Sequence, residues 1–384
     1  MLTEKLLSDS KFYNKPISIF FTSRNCSICD KLYNEITSKY ISSKYYWLRI
    51  DSEEYLHYFI RLTRGVIPSV VVMNGDLRIL GIIESNNSDF IENALKNIYE
   101  NLENKKLIAS NVPHFVPEPQ EFDPFIVHEV VLRIINGEVV DHRALEVIEF
   151  YKRNYTEFSN IQKFITNYDV ITKSILYKEK IEINNSYTAG VLVENGIEDP
   201  KVLLEYINED GSVYRSKRKE VSGLLIDESI AGNALLKAYE LYGEKEYLEY
   251  AKKIYEYIIK NNVHEKGFLD VPKRDPLSNI EFLEPLANAE AGIFFSRYYL
   301  LTKDEKAREY SEKAIRCAYG GSKNTRVLTR VIIAYLKLKH SILTKNMKIT
   351  DPRIEYLENP CKDEEFYYNN NCYKSIDEIT IELL

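Results

Sequence analysis

Between Leu225 and Lys313 the chain repeats itself. Ala231-Gly232, Tyr239, Leu241, Glu249-Tyr250 and Lys253 recur as Ala291-Gly292, Tyr299, Leu301, Glu309-Tyr310 and Lys313, all displaced by 60 residues without a gap. Each copy reads as two amphipathic helices broken near Tyr242-Gly243-Glu244 or Thr302-Lys303-Asp304. Two helices plus a long loop exceed a tetratricopeptide unit and suit hairpins arranged around an α/α toroid, with the Gly267-Phe268-Leu269-Asp270 loop at its mouth. A last helix is expected from Arg326 to Lys339, and Gly320 to Thr325 reads as a turn and cap rather than a phosphate loop.

The N-terminal part has a different grammar. The apolar run Ile17 to Phe21 reads as a strand, and Cys26-Ser27-Ile28-Cys29 opens an apparent helix through Ile36. At a helix start, orphan backbone N–H groups and the positive end of the dipole favour a thiolate, and the second thiol lies one turn on. This setting predicts Cys26 as a nucleophile toward disulfides and Cys29 as the resolving thiol, with Arg24 lowering the Cys26 pKa if its guanidinium turns inward. Tyr45 to Ile50 reads as a second strand, Glu54 to Leu62 as a helix, and Pro68 to Met73 with Leu77 to Leu80 as a hairpin about a tight Asn74-Gly75 turn of positive φ. A helix from Asp89 to Leu102 follows. Pro68, at the head of a strand 42 residues after Cys26, is placed with Ile67 as the substrate-binding edge facing the dithiol.

Asn111 to Pro119 carries three prolines in nine residues and reads as a linker. Beyond it, Phe122 to Ile135, Arg143 to Lys152 and Lys201 to Ile207 read as helices, whereas Val191-Leu192-Val193 looks strand-like. The expected organisation is α/β plus all-α: a thioredoxin-like domain over 1–108, a linker over 109–121, a helical α/α-toroid-like domain over 122–345 and a tail over 346–384.

A length of 384 residues accommodates two or three domains at roughly 150 residues each. A net charge of −7 argues against an extended nucleic-acid surface, and no apolar run approaches the roughly 20 residues of a membrane span. The opening Met1-Leu2-Thr3-Glu4-Lys5 lacks a signal-peptide core, so a cytoplasmic protein is expected. Five cysteines do not make a disulfide framework, and with no second cysteine or histidine pair of zinc spacing, neither metal nor cofactor is expected. Cys317 reads as core, whereas Cys361 and Cys372 either pair or stay free.

In the helical part, Asp227, Glu228, Asp270, Glu284 and Glu290 are the acids nearest the mouths of the hairpins. Paired carboxylates there would serve as acid and base on a sugar; as helix-start charges, Glu228 and Glu284 would instead favour the dipole. His128 and His142 fall in separate helical segments.

Taken together, these residues resemble the family of spermatogenesis-associated protein 20, in which a thioredoxin-like domain precedes an (α/α) toroid of the six-hairpin glycosidase type. Asp51-Ser52-Glu53-Glu54 looks like its acidic segment after the second strand, Asp227 matches the aspartate that starts a toroid helix, and Asn370-Asn371-Cys372 with Asp377-Glu378-Ile379 is similar to its cysteine tail. Departures accompany the likeness. Ile28 stands for the family's tryptophan, Asp30 for its histidine and Tyr367 for the earlier tail cysteine, while Phe20 replaces the buried aspartate of ordinary thioredoxins. The chain is shorter than typical members, so an incomplete toroid is expected. The resemblance implies a thiol-disulfide oxidoreductase acting on a protein or small-molecule disulfide, its helical domain recruiting substrate or partner. The alternatives are a noncatalytic scaffold, or a toroid that binds or processes a sugar-like ligand with a regulatory dithiol.

Overall fold

A computed structural model describes residues 1–155, 158, 160–347, 349, 351–362 and 365–381; of the expected tail, 348, 350, 363, 364 and 382–384 lie outside that description. The chain divides into two compact units, one of Met1–Phe115 with Val271–Phe282, the other of Val116–Asp270 with Leu283–Leu384.

The first unit runs α1 (Glu4–Phe12), β1 (Ile17–Thr22), α2 (Ser27–Ser38), β2 (Tyr46–Asp51), α3 (Leu56–Leu62), β3 (Ser69–Met73), β4 (Arg78–Glu84), α4 (Ser88–Glu103) and β5 (Ser110–Asn111). Its sheet has the order β2-β1-β3-β4-β5, with β1 and β2 parallel, Ile17 opposite Tyr46, and the other neighbours antiparallel. β1 is buried on both faces, which is why it reads as a continuous apolar run. Its side chains alternate between two cores. Ile17, Ile19 and Phe21 pack with Leu7, Tyr58 and Leu62, while Phe20 packs with Cys29, Leu32, Ile36 and Leu95.

Two sequence expectations change here. The β3–β4 connection is not a positive-φ Asn-Gly turn: Leu77 takes the left-handed conformation, and Asn74 Oδ1 accepts the Asp76 and Arg78 N–H groups at 3.0 Å each. Gly75 is needed for space, because a Cβ there would lie 2.6 Å from the Leu7 carbonyl oxygen of α1. Residues 271–282 fall inside the range read as helical domain but belong to the first unit. Leu277 is fully buried in its core, and Arg61 Nη1 donates to the Leu277 and Ile280 carbonyls at 2.7 and 2.9 Å.

The second unit contains α5 (Ile126–Ile135), α6 (His142–Asn154), α7 (Val170–Tyr177), α8 (Ser186–Glu194), α9 (Lys201–Leu204), α10 (Leu225–Tyr242), α11 (Lys245–Asn261), the hairpin β6 (Val263–His264) and β7 (Gly267–Phe268), α12 (Pro285–Thr302), α13 (Glu305–Gly321) and α14 (Thr325–His340). The repeat is visible as α10 and α12, each of 18 residues, followed by α11 and α13, each of 17. α8, α10, α12, α14 and α6 pack side by side in that order, with α11 and α13 on the outside. The inner helices bury their whole circumference, every residue from Leu225 to Leu236 being inaccessible, whereas α11 buries only one stripe. All-round burial also explains Val191-Leu192-Val193. That apolar triplet lies in the buried helix α8, not in a strand. The tail is more than a polar extension: β8 (Ile342–Leu343), β9 (Ile354–Glu355), β10 (Phe366–Tyr368) and β11 (Asn371–Tyr373) form a sheet in the order β11-β10-β8-β9 over its own apolar cluster.

Equivalent glycines of the two repeats face different neighbours. A Cβ on Gly232 would sit 2.4 Å from the buried Phe294 ring, whereas one on Gly292 would meet Ala334 and Ile315 at an ordinary 3.4 Å. Gly232→Ala should therefore destabilise the chain by about 1–3 kcal/mol through overpacking, while Gly292→Ala should stabilise it by about 0.5–1 kcal/mol through helix propensity. Urea denaturation of both variants measures the two signs.

Candidate functional site

In the first unit, β1 delivers the chain to a short turn in which Asn25 has φ +59° and the Cys26 N–H bonds the Ser23 carbonyl at 3.3 Å. Cys26 caps α2: its Sγ accepts the Cys29 N–H at 3.2 Å, and the Asp30 N–H bonds its carbonyl at 3.1 Å. Cys26 and Cys29 form a disulfide with Cα atoms 5.2 Å apart. The two sulfurs are unequal, Cys26 being partly exposed and Cys29 fully buried.

Ile67 and Cys26 pack against the same apolar cluster as Cys29, Phe20 and Val70. Ile67 and Pro68 are half-buried, and the peptide bond joining them is cis. Ile28 projects into solvent at 61% exposure, and Arg24 is exposed. Asp30 is held by Arg49 of β2, whose guanidinium lies 5.1 Å from the Tyr33 ring centre. Arg49 carried no sequence signal because the pairing depends on the parallel β1–β2 register.

The five helical-unit acids do not converge. Asp227 accepts from Arg215 Nη1 at 2.5 Å and Glu228 from the Val213 N–H at 2.7 Å, so both tie the loop before α10 to its first turn. Glu284 caps α12, accepting the Ala287 N–H at 2.5 Å. Burial pushes its pKa up to about 7, opposed by the helix N–H groups and reinforced by Asp270. Glu290 stands apart, fully buried among Arg143, Arg330 and Asn233.

Glu290 belongs to a network that could not be read from periodicity. Arg143 of α6 pairs with Glu290 of α12 and, at 2.8 Å, with Glu194 of α8; Arg330 of α14 bridges Glu290 and Asp141 at 2.8 and 2.7 Å. Further along, Arg297 meets Glu194 at 3.0 Å and Glu355 at 3.3 Å, and Lys337 meets Glu355 at 2.5 Å. The Arg143–Glu194 pair links α6 back to α8, so the row of inner helices is also a circuit of charges.

Burial raises Glu240, and the neighbouring Glu355 carboxyl adds to it, bringing its pKa to about 8. Burial also works to raise Glu355, but Lys337 and Arg297 outweigh it and hold that group below the ordinary range. Of the two carboxyls, Glu240 is therefore the one that keeps its proton to higher pH. Burial, with Arg143 adding to it, pushes the pKa of His142 down. Asp141, which caps α6, is held low by Arg330 and His142 against the cost of burial.

No family model matches the chain, and no curated protein does. Among solved structures, a match is found to the selenomethionine derivative of a GH76 alpha-mannanase from Bacteroides thetaiotaomicron, with a TM-score of 0.31 and 11% identity, covering 64% of this chain and 82% of that one. Likeness at that level transfers no activity. Among the described residues no helix is long and apolar enough to cross a membrane.

Two predictions follow from the charges. Glu290→Ala takes one buried carboxylate from both Arg143 and Arg330, leaving them Glu194 and Asp141, and should cost about 3 kcal/mol in chemical denaturation. For Glu240 the native pKa lies above the ordinary 4.5, so its protonated form stabilises the fold most at low pH, and that contribution drains away as pH rises toward about 8. Glu240→Gln keeps a donor to Glu355 without the titration. Its Tm should match wild type near pH 4 and exceed it by a margin that grows from about pH 5 to about pH 8 in melts across that range.

Proposed function

We propose that the chain is a thiol-disulfide oxidoreductase whose N-terminal unit is a thioredoxin-like module, with the helical unit, read as an incomplete α/α toroid, recruiting the disulfide substrate or a partner. The observation that carries this reading is the Cys26–Cys29 pair: a half-exposed sulfur capping α2, bonded to a buried sulfur one turn along.

In the reduced state, the Cys29 N–H and the positive end of α2 would stabilise the Cys26 thiolate. That thiolate attacks one sulfur of the substrate disulfide, forms a mixed disulfide and releases the other sulfur as a thiolate. The Cys29 thiolate then attacks Cys26 Sγ and frees the second substrate thiolate. Ile67, which packs in the same apolar cluster as Cys26, would form the substrate-binding edge with Pro68. Phe20 lends hydrocarbon where ordinary thioredoxins use a carboxylate, so deprotonation of Cys29 relies on solvent reached through the opened mixed disulfide. Arg24, being exposed, acts on Cys26 as a screened charge at most.

A second reading places sugar chemistry in the helical unit. It rests on Glu284, whose carboxyl is raised to about 7 by burial with Asp270 adding to it, as a general acid requires. The N-cap duty of Glu284 weighs against it.

The dithiol should titrate as a reversible two-electron couple between about −120 and −270 mV in dithiothreitol or glutathione buffers. Cys26→Ser should reduce turnover of a model protein disulfide to the uncatalysed background, and Cys29→Ser should accumulate a mixed disulfide on Cys26 visible by mass spectrometry. Unchanged turnover in Cys26→Ser would leave the scaffold reading. Glycan turnover lost in Glu284→Gln would favour the second.

A further inference from the structure

The tail sheet brings a second pair of cysteines together with a carboxylate. Cys361 and Cys372 form a disulfide, and the Glu365 carboxylate lies with both sulfurs inside a sphere of contacts no wider than 4.8 Å between ligand atoms. Three features of the sequence fix these groups. Asn369 and Asn370, both of positive φ, form the two-residue loop of the β10–β11 hairpin and set Cys372 opposite Tyr367. Asn359 Oδ1 accepts the Cys361 N–H at 2.9 Å, and its Nδ2 donates to the Leu343 carbonyl of β8 at 3.2 Å. Glu365 Oε2 accepts the Lys362 N–H at 3.2 Å, while the Glu365 carbonyl accepts from Thr344 Oγ1 at 3.0 Å. Each group is therefore oriented by a backbone or side-chain bond independent of the disulfide.

We propose that, when reduced, Cys361, Cys372 and Glu365 bind a borderline divalent cation such as zinc, making the tail a redox-gated metal site. Tetrahedral zinc–sulfur and zinc–oxygen bonds imply ligand separations of roughly 3.3–3.8 Å, so the sulfurs need only part from bonding distance and the carboxylate shift by less than about 1 Å. Two thiolates and a carboxylate balance the cation with one charge to spare, and water fills the fourth position. The chemistry is balanced by a dithiol reductant. It gives two electrons and two protons to the Cys361–Cys372 bond and becomes a disulfide, and the metal then displaces both thiol protons to solvent. Cys372 is exposed, so both reductant and metal reach it directly.

The test uses the full-length chain with Cys26→Ser and Cys29→Ser, which removes the other dithiol, reduced by a phosphine. Zinc is titrated in competition with a chromogenic chelator, and cobalt is substituted for its spectrum. One zinc per chain with submicromolar affinity and a cobalt-thiolate charge-transfer band, both lost in Cys372→Ser, is the expected result. Glu365→Gln should weaken binding about tenfold or more. That variant still forms the disulfide and can be purified folded before reduction, so its loss of affinity is not a loss of fold. Absence of stoichiometric uptake, or uptake indifferent to Glu365→Gln, overturns the site.

Discussion

The helical unit depends on burying charge in the middle of a row of apolar helices. Arg143, Arg330, Glu290 and Glu355 are each at most 1% exposed. Taking such groups from water costs several kcal/mol apiece, repaid only when geometry and hydrogen bonding are complete. The network is therefore weak evidence for stability and strong evidence for a fixed arrangement. Each of α6, α8, α10, α12 and α14 contributes a member, and a slip of any helix by one residue would part a cation from its acid. An all-apolar interior of the same volume would tolerate several registers.

The same constraint explains where the two repeat copies diverge. Positions kept between copies include the outer Glu249-Tyr250 and Glu309-Tyr310 and the small buried Ala231-Gly232 and Ala291-Gly292. At the centre the copies differ by design of the circuit: Ile230 in α10 corresponds to Glu290 in α12, and Leu300 in α12 to Glu240 in α10. Lys237 and Arg297, also equivalent, keep their charge and both approach Glu240, at 3.6 and 3.9 Å, but differ in their other partners. Lys237 lies 3.8 Å from the centre of the Tyr356 ring, while Arg297 bonds Glu194 and the Asn233 carbonyl. A repeat motif records the helices, and the departures from it record the core.

Local patterns were legible where one face of an element decides its neighbours. The β1–α2 junction, the helices of the repeat and the hairpin of β3 and β4 all announce themselves through alternation, caps or turn residues. What could not be read lies in long-range geometry. Val191-Leu192-Val193 has the composition of a strand but is buried on every side of α8, where periodicity carries no signal. Residues 271–282 look like an ordinary loop between repeats, and the Arg61 bonds to Leu277 and Ile280 and the burial of Leu277 show where they belong. The carboxylates singled out near helix starts were assigned by position alone. Arg143 reaches Glu290 across 147 residues, Arg215 reaches Asp227 across 12, and Glu228 and Glu284 meet backbone N–H groups instead.

The dithiol obeys the opposite logic. Its environment is nearly all local: a strand, a turn, a cap and one helical turn specify Cys26 and Cys29, and the packing of Phe20 behind them follows from the alternation of β1. Local specification makes such a site easy to recognise and easy to inherit without its chemistry. What separates a working dithiol from a relic is the difference between its two sulfurs, since exchange needs one sulfur that meets substrate and another that water and oxidants do not reach. Cys26, half-exposed at the helix end, and Cys29, closed off beneath it, have that asymmetry. The tail pair inverts it. There the more exposed sulfur is Cys372, and its neighbours are a carboxylate and a hairpin rather than a helix end, an environment that favours holding a cation over attacking a disulfide.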